Sequence, residues 1–591
     1  MCGIVGYFGK EKGADVVVEG LKKLEYRGYD SWGIACKSGQ NVELFKQTGK
    51  IGQFDLAKEK PKLRADIAIG HTRWATHGGV TKNNAHPHFS NDKRIHVVHN
   101  GIIENYQELR KSLEKRGIKF NSETDTEVLP HLISIFINKG LTLTEAVKNT
   151  ISMIEGNYAI AVIDRESDEM ICTRNGSPLV FGIGKGEYFV ASDVPAFLKY
   201  TDRVVFLDDH DLLEIDQTGY KITNLNTGKD SIRKPTRIDW SFEEAEKGGH
   251  PNFMIKEMLE QPGVIDKTIL TSQDELEKAA RLINRAENIY VVACGTALHA
   301  GIYGSYLLGR NNKLNLRPIS AGEFPYFAHL VNKNDLVIAV SQSGETADVL
   351  ESVKTAKNAG AKVLALVNVM GSTLMRISDF SILTKAGPEI CVLSTKAFTS
   401  QVAMFVMLSF ALIGDINEGK KVLSLAKKDI EKITSKSSLE KIKDLSVSLA
   451  KAENIYAIGR GFNYAIALEA CLKIKEVSYI HAEGFAGGDL KHGPIALIEK
   501  NVPVLAFVAN DGSEREIVSN AMEVKSRGAR VMGISFENNQ AFDVYLPTAG
   551  NGIYSPISAI IYGQIMAYYI ALSKKLDPDK PRNLAKSVTV K

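Results

Sequence analysis

Leu336-Val337-Ile338-Ala339-Val340-Ser341-Gln342-Ser343-Gly344-Glu345-Thr346 joins five apolar residues to three hydroxyls and a glycine. The apolar run is continuous rather than alternating, which reads as a strand buried on both faces. A helical pattern follows the loop. Backbone N–H groups and the hydroxyls of Ser341, Ser343 and Thr346 then converge where the helix dipole favours an anion. Strand, loop and helix in this order make the unit of a doubly wound parallel sheet, and ligands there bind beyond the carboxyl ends of the strands. Three hydroxyls with a glycine for close approach suit a phosphate monoester. A helix cap with spare serines is the plainer reading of one such loop alone.

The same pattern surrounds this stretch. Ile289–Cys294 and Lys362–Val367 are further apolar runs of strand length, and Cys294-Gly295-Thr296-Ala297 forms a second loop at a strand end. The unit is also duplicated. Ala286-Glu287-Asn288-Ile289-Tyr290 recurs as Ala452-Glu453-Asn454-Ile455-Tyr456, VIAVSQSG (337–344) is echoed by VLAFVANDG (504–512), and NAGAKVLA (358–365) by SRGARVMG (526–533). The offsets, 166, 168 and 168 residues, share one register. A period this long means a duplicated domain, not a solenoid. The second copy lacks most of the hydroxyls in its 509–514 loop, so the copies are expected to differ in role. Glu469, Lys473 and Glu476 lie at helical i, i+4, i+7 spacing in that copy, among Leu468, Leu472, Ile474 and Val477. The spacing puts the three charges on one face of a partly buried helix.

The first third is of another kind. Short strand patterns (Ile67–Gly70, Ile95–His99, Tyr158–Ile163, Met170–Thr173, Val204–Leu207) mix with helical ones (Asp15–Leu24, Glu104–Arg116), predicting antiparallel sheets packed with helices. The chain opens Met1-Cys2-Gly3-Ile4-Val5-Gly6. If Met1 is removed, Cys2 carries a thiol beside a free α-amino group, which titrates near pH ~7.7–8.0 and can take the thiol's proton. Arg73 has the fork to clasp an α-carboxylate. Asp125 can pair with an α-ammonium, and Asn100 with Gly101 can aim an amide and a backbone N–H at an oxyanion. Between the thirds, 236–250 combines an acidic run with paired glycines and reads as a linker.

Composition bounds the rest. With 591 residues, 44% hydrophobic and 24% charged, the chain predicts three or four globular domains. A net charge of +4 gives no nucleic-acid or membrane-surface signal, so an anionic ligand needs a local site. The six cysteines are scattered without metal-site spacing, which points to a reducing, cytoplasmic setting. The apolar runs Val402–Ile413 and Ile557–Leu572 read as buried helices rather than membrane spans.

Tyr26–Ser31, His71–Gly78, His99–Gly101 and Thr124–Glu127, taken with Cys2, resemble the N-terminal-nucleophile glutamine amidotransferases. The two repeats resemble sugar isomerase (SIS) domains. The resemblance spans the whole chain and includes Ser394–Thr399, Lys491-His492-Gly493-Pro494 and the ending Pro581–Val590. It implies an αββα glutaminase sandwich followed by two doubly wound parallel-sheet repeats: 1–235 glutaminase, 236–250 linker, 251–424 and 425–576 the two SIS domains, and 577–591 a tail closing the sugar site. The implied reaction moves the amide nitrogen of glutamine to fructose 6-phosphate with ketose–aldose isomerisation, giving glucosamine 6-phosphate and glutamate, with no metal and no cofactor.

The roles it implies are Cys2 as nucleophile, Asn100 and Gly101 as oxyanion hole, and Arg73, Thr76, His77 and Asp125 as the glutamine pocket with Trp74 at its exit. Thr296, Ser341, Gln342, Ser343, Thr346, Val392, Ser394 and Ala585 are implied to bind the sugar phosphate. Glu476 becomes the base moving a proton between C1 and C2, Lys473 a charge stabiliser, His492 the ring-opening group supplied across a homodimer, and Lys586 the Schiff-base lysine. Trp32 and Ala297 depart from the pattern, where small and hydroxyl residues are usual, and Asp489 replaces a glutamate. A sugar-phosphate sensor would need none of Cys2, Glu476 and Lys586, and would carry a helix-turn-helix. Phosphoribosyltransferase and asparagine-synthetase types would need an acidic pyrophosphate-sugar loop or a nucleotide loop. No such segment is found.

Overall fold

The computed structural model describes residues 2–10, 12–60, 63–238, 244, 246–549 and 552–589. Residues 239–243 and 245 of the expected linker, Met1 of the opening hexapeptide and Val590 of the closing motif lie outside the described residues. The chain divides into two compact units, Met1–Ala245 with Ala585–Lys591, and Glu246–Leu584.

The first unit holds two antiparallel sheets. The larger runs, in order, Thr236–Arg237, Arg203–Phe206, Val180–Ile183, Tyr188–Ala191, Gly3–Phe8, Ile67–Arg73, Ser31–Ser38 and Asn41–Thr48. The smaller contains Asp211–Asp216, Met170–Asn175, Gly156–Asp164 and Ile95–Ile103 at its centre. Alternation sorts the side chains. Ala159, Ala161 and Ile163 meet Ile4, Phe8, Ile67 and Ile69 between the sheets, while Tyr158, Ile160 and Val162 turn outward to helix Val128–Ile137. On the far side, helix Gly13–Lys23 lies so close to strand Ile67–Arg73 that a Cβ at Gly70 would stand 2.5 Å from Val17 Cγ1. Helix, sheet, sheet, helix is the predicted sandwich. It brings the start of the first strand, the end of Ile67–Arg73 and the middle of Ile95–Ile103 to one place.

The second unit holds two five-stranded parallel sheets in the same order. The first runs Leu316–Ser320, Ile289–Ala293, Leu336–Ser341, Lys362–Val367, Phe380–Leu383. The second runs His481–Ala486, Asn454–Gly459, Pro503–Phe507, Arg530–Ser535, Val544–Pro547. The duplication in sequence is thus a duplication of topology. Helix Gly295–Asn312, which follows the first strand of the first repeat, packs on its counterpart Phe462–Ser478 in the second. One hydrophobic core runs through both repeats. The buried polar bridge from Gln261 Nε2 to Gln564 Oε1, 2.9 Å, also spans them.

Helix Ile416–Ile433 runs through the expected 424/425 boundary, so the chain passes between repeats along a helix rather than a loop. Val402–Ile413 and Ile557–Leu572 lie in core helices Lys396–Leu412 and Ser555–Ser573. The second is the one described helix long and apolar enough to cross a bilayer, and 89% of its apolar window is buried within the protein, so it is a core element.

Candidate active sites

In the first unit the Cys2 thiol accepts a hydrogen bond from the Trp74 N–H at 3.3 Å and lies 3.5 Å from the Trp74 carbonyl. Burial pushes the thiol above its ordinary range, so the thiolate needs a base beside it. The Cys2 carbonyl accepts from Asn100 Nδ2 at 3.1 Å and from Arg27 Nε at 3.3 Å. Arg27 is held in turn by Asp193, which also accepts from the Tyr26 hydroxyl at 2.6 Å. Asn100 sits on strand Ile95–Ile103. Its Nδ2 also donates to Ser192 Oγ at 2.8 Å, and its Oδ1 lies 3.0 Å from His71 Nε2. Gly101 follows with φ +125, a conformation costly for any residue with a Cβ, and a Cβ there would fall 1.9 Å from the Asn157 carbonyl oxygen.

Arg73 is buried, and its guanidinium donates to the carbonyls of His77, Gly78 and Gly79. Part of the fork therefore shapes the 74–79 loop. Asn84 and Glu123 fasten the same loop, Asn84 Nδ2 donating to Gly79 at 2.9 Å and the Gly79 N–H to Glu123 at 3.2 Å. Asp125 accepts from the Ile103 N–H at 2.8 Å. Trp74 and His77 are half-buried, and Thr76 is exposed on the loop. Trp32 is fully buried against Phe54, ring centroids 4.6 Å apart.

In the second unit both hydroxyl loops stand at strand ends. Ser341 closes its strand, and its Oγ accepts from the Gly344 N–H at 3.0 Å. Ser343 Oγ accepts from the Glu345 N–H at 3.2 Å. Thr346 precedes helix Ala347–Asn358. Gln342, Ser343 and Thr346 are half-exposed at the loop mouth. Thr296 enters at the other loop, where Gly295 takes φ +53 and opens its helix.

Thr296 reaches across the repeats. Its hydroxyl donates to Glu469 Oε1 at 3.0 Å and accepts from Lys473 Nζ at 2.9 Å. His299 Nδ1 lies 2.7 Å from Glu469 Oε2. Lys473 also pairs with Glu469 at 3.3 Å and Glu476 at 2.7 Å, so the i, i+4, i+7 face is one ion cluster with a buried centre. Burial pulls the Lys473 ammonium down, but the two carboxylates outweigh it and hold the group above its ordinary value. Between the same two helices, Tyr303 packs on Phe462 with centroids 5.7 Å apart.

Lys396 is buried and paired with Glu260 at 2.6 Å. Ser394 Oγ donates to Glu389 at 2.8 Å, and the Val392 N–H donates to the Asp579 carbonyl at 3.1 Å. Asp579 caps helix Phe253–Leu259 through the Phe253 and Met254 N–H groups, which ties the tail to the second unit as far as Leu584. Ala585 and Lys586 group with the first unit. His492, at the end of the 3₁₀ turn Gly487–His492, is exposed.

Sequence reading missed Ser192 and Asp193 around Cys2 and His299 beside Glu469, and singled out Arg27 within Tyr26–Ser31 without giving it a role. Ser192 and Asp193 stand about 190 residues from Cys2 and carry no local pattern. His299, three residues after Thr296, faces Glu469 only once the two repeats have packed.

A glutamine amidotransferase domain model matches residues 71–199, and an SIS domain model matches 282–411 and 448–568. The glutamine–fructose-6-phosphate aminotransferase (isomerizing) of Clostridium tetani is 43% identical over 612 residues, and that of Thermococcus kodakarensis 42% over 604, each covering 100% of both chains. Among solved structures, the C-terminal domain of glucosamine-fructose-6-phosphate aminotransferase from Francisella tularensis is 33% identical, with a TM-score of 0.52. It covers 57% of this chain and 100% of that one.

Proposed function

The chain belongs to the family of the isomerizing glutamine–fructose-6-phosphate aminotransferases, and from that premise we propose how its own residues divide the work. The overall reaction transfers the amide nitrogen of glutamine to fructose 6-phosphate and yields glucosamine 6-phosphate and glutamate. We assign 1–235 to glutamine hydrolysis, 236–250 to the link, 251–424 and 425–576 to the sugar, and 577–591 to the closing tail.

At the first site Cys2 Sγ bonds to the amide carbon of glutamine, and the carbonyl electron pair moves onto oxygen. Asn100 and the Gly101 N–H receive that charge. The pair returns as the C–N bond breaks. Ammonia leaves with the proton taken from the thiol by the α-amino group of residue 2, and water cleaves the thioester to glutamate. Arg73 and Asp125 hold the α-carboxylate and α-ammonium, with Thr76 and His77 above them and Trp74 at the exit. The contact of Trp74 with the Cys2 thiol supports this reading.

At the second site Ser341, Gln342, Ser343 and Thr346 hold the phosphate, and Thr296, Val392, Ser394 and Ala585 the sugar. The observation that carries the assignment is the state of the lysines. Lys473 is kept cationic between two carboxylates, and Lys396 is spent on Glu260. A nucleophilic amine has to be neutral, so neither is suited to imine formation, and we assign that role to Lys586, as the family resemblance of the chain's ending implies. Lys473 instead supplies fixed positive charge to the enolate oxygen, and Glu476 moves the proton between C1 and C2. His492 opens the ring. Its exposure supports donation to the site of a second copy in a homodimer. Six free, scattered cysteines support a cytoplasmic setting.

The purified chain is tested with glutamine and fructose 6-phosphate by measuring both products. Glucosamine 6-phosphate and glutamate rise together. Glutamate alone, without the amino sugar, refutes the assignment of the second site.

A further inference from the structure

We infer that His71 is a positioning residue for acyl transfer: its Nε2–H holds the Asn100 amide so that Nδ2, and not Oδ1, faces the Cys2 end of the site. The two ends of an asparagine amide have the same shape, so sterics do not choose between them; hydrogen-bond partners do. At Asn100 one end meets the Cys2 carbonyl at 3.1 Å, which can only accept. Ser192 Oγ, 2.8 Å away, already accepts from the Ile4 N–H. That end must be the NH₂. The other end, Oδ1, lies 3.0 Å from His71 Nε2 and can only accept, so the histidine must donate.

The His99 backbone also lies near this ring, but Nδ1 makes no hydrogen bond and only the Nε2 contact with Asn100 has that geometry. His71 is fully buried, and burial pushes its pKa down to about 3. It therefore carries a single ring proton at working pH, and the Asn100 contact puts that proton on Nε2. The ring is stacked on His86 at 4.1 Å with planes 11° apart. His86 is anchored in turn, its Nδ1 accepting the N–H of His99 at 3.3 Å, one residue before Asn100 on the same strand. The ring thus resists rotation. If the proton moved to Nδ1, two acceptors would face each other, and the amide would gain by turning its NH₂ toward His71. The end beside Cys2 would then be an oxygen, and no Asn100 N–H could swing from the Cys2 carbonyl or Ser192 to the developing oxyanion, at the step where donor placement matters most.

His71→Phe in the full chain keeps a ring to stack on His86 and removes the donor. His71→Gln offers an amide donor at the same place. Three quantities are read: glutaminase kcat and KM for glutamine, the rate of Cys2 alkylation by iodoacetamide, and the thermal transition. Alkylation needs the thiolate but no oxyanion. The Phe variant is expected to lose roughly 100- to 1000-fold in kcat, the scale of a lost oxyanion donor, with KM and alkylation rate unchanged. The Gln variant is expected to recover the larger part. Should the Phe variant not fold, His71→Leu, which adds no bulk, gives the same comparison. Wild-type kcat in either apolar variant overturns the inference. So does an alkylation rate that falls in step with kcat, or a Gln variant as impaired as the Phe one.

Discussion

Lowering the pH from 7 to 5 is expected to destabilise the glutaminase unit selectively, because it buries histidines that the fold holds neutral. His71, His86, His88, His96 and His99 are all fully buried. Burial pushes His71 to about 3 and His96 to about 4, holds His86 and His88 well below the ordinary histidine range, and lowers His99. A group whose folded pKa lies below its unfolded value, ~6.5 for histidine, contributes its full stability above that value and loses it as pH falls toward the folded one. At pH 5 the unfolded histidine is almost fully protonated and the folded one almost bare. Each of His71 and His96 then costs about 2 kcal/mol relative to pH 7. The two together cost about 4 kcal/mol, a large part of the ~5–15 kcal/mol that holds a domain, and the other three add in the same direction.

The tryptophans, at positions 32, 74 and 240, all precede residue 245, so their emission reports on this part of the chain. Their thermal transition is expected to fall by about 8–16 °C between pH 7 and 5 for these two histidines alone. His96→Leu, which lies outside the site, is expected to remove about one proton from the uptake on unfolding, or ~1.4 kcal/mol per pH unit of slope. A transition that stays within ~4 °C across this range refutes the reasoning, as does a His96→Leu slope equal to the wild type.

Cys2→Ala is expected to abolish glutamine hydrolysis while fructose 6-phosphate still binds by calorimetry; residual glutaminase activity would remove Cys2 from its role. Lys586→Ala is expected to block glucosamine 6-phosphate synthesis, and borohydride with fructose 6-phosphate to trap an adduct on the wild type alone. Mass spectrometry finding that adduct on Lys473 or Lys396 would show the ion pairs do not disarm those lysines. Gly101→Ala is expected to cost roughly 2 kcal/mol or more, since it combines positive φ with a backbone clash. Urea denaturation followed by tryptophan emission measures it, and an unchanged midpoint counts against the steric argument.

Much of the architecture was legible because it rests on periodicity. Continuous apolar runs such as Leu336–Val340 announced parallel strands, and the 166–168-residue offset announced two copies. Glu469, Lys473 and Glu476 could be set on one helical face by spacing alone. Their partner could not, because Thr296 meets Glu469 only after two distant helices pack, and sequence spacing has no memory of that distance. Arg73 shows a similar limit. Its fork geometry identified a clamp for planar acceptors, and in the fold part of that fork is spent on the carbonyls of its own loop. The support behind Asn100, from His71 and Ser192, was invisible for the same reason.

The contact of Tyr303 with Phe462 gives the duplication a further meaning. With the two copies aligned 166 residues apart, Tyr303 occupies the place of Glu469, Phe462 that of Thr296, and Leu307 that of Lys473. The aromatic pair at 5.7 Å and the Thr296–Glu469 bond at 3.0 Å therefore join equivalent positions of the two copies. Two identical copies packed in this way would present the same side chains at both places. Joining them in one polypeptide lifts that constraint: one of the two equivalent places carries acid, lysine and hydroxyl, and the other a pair of packed rings.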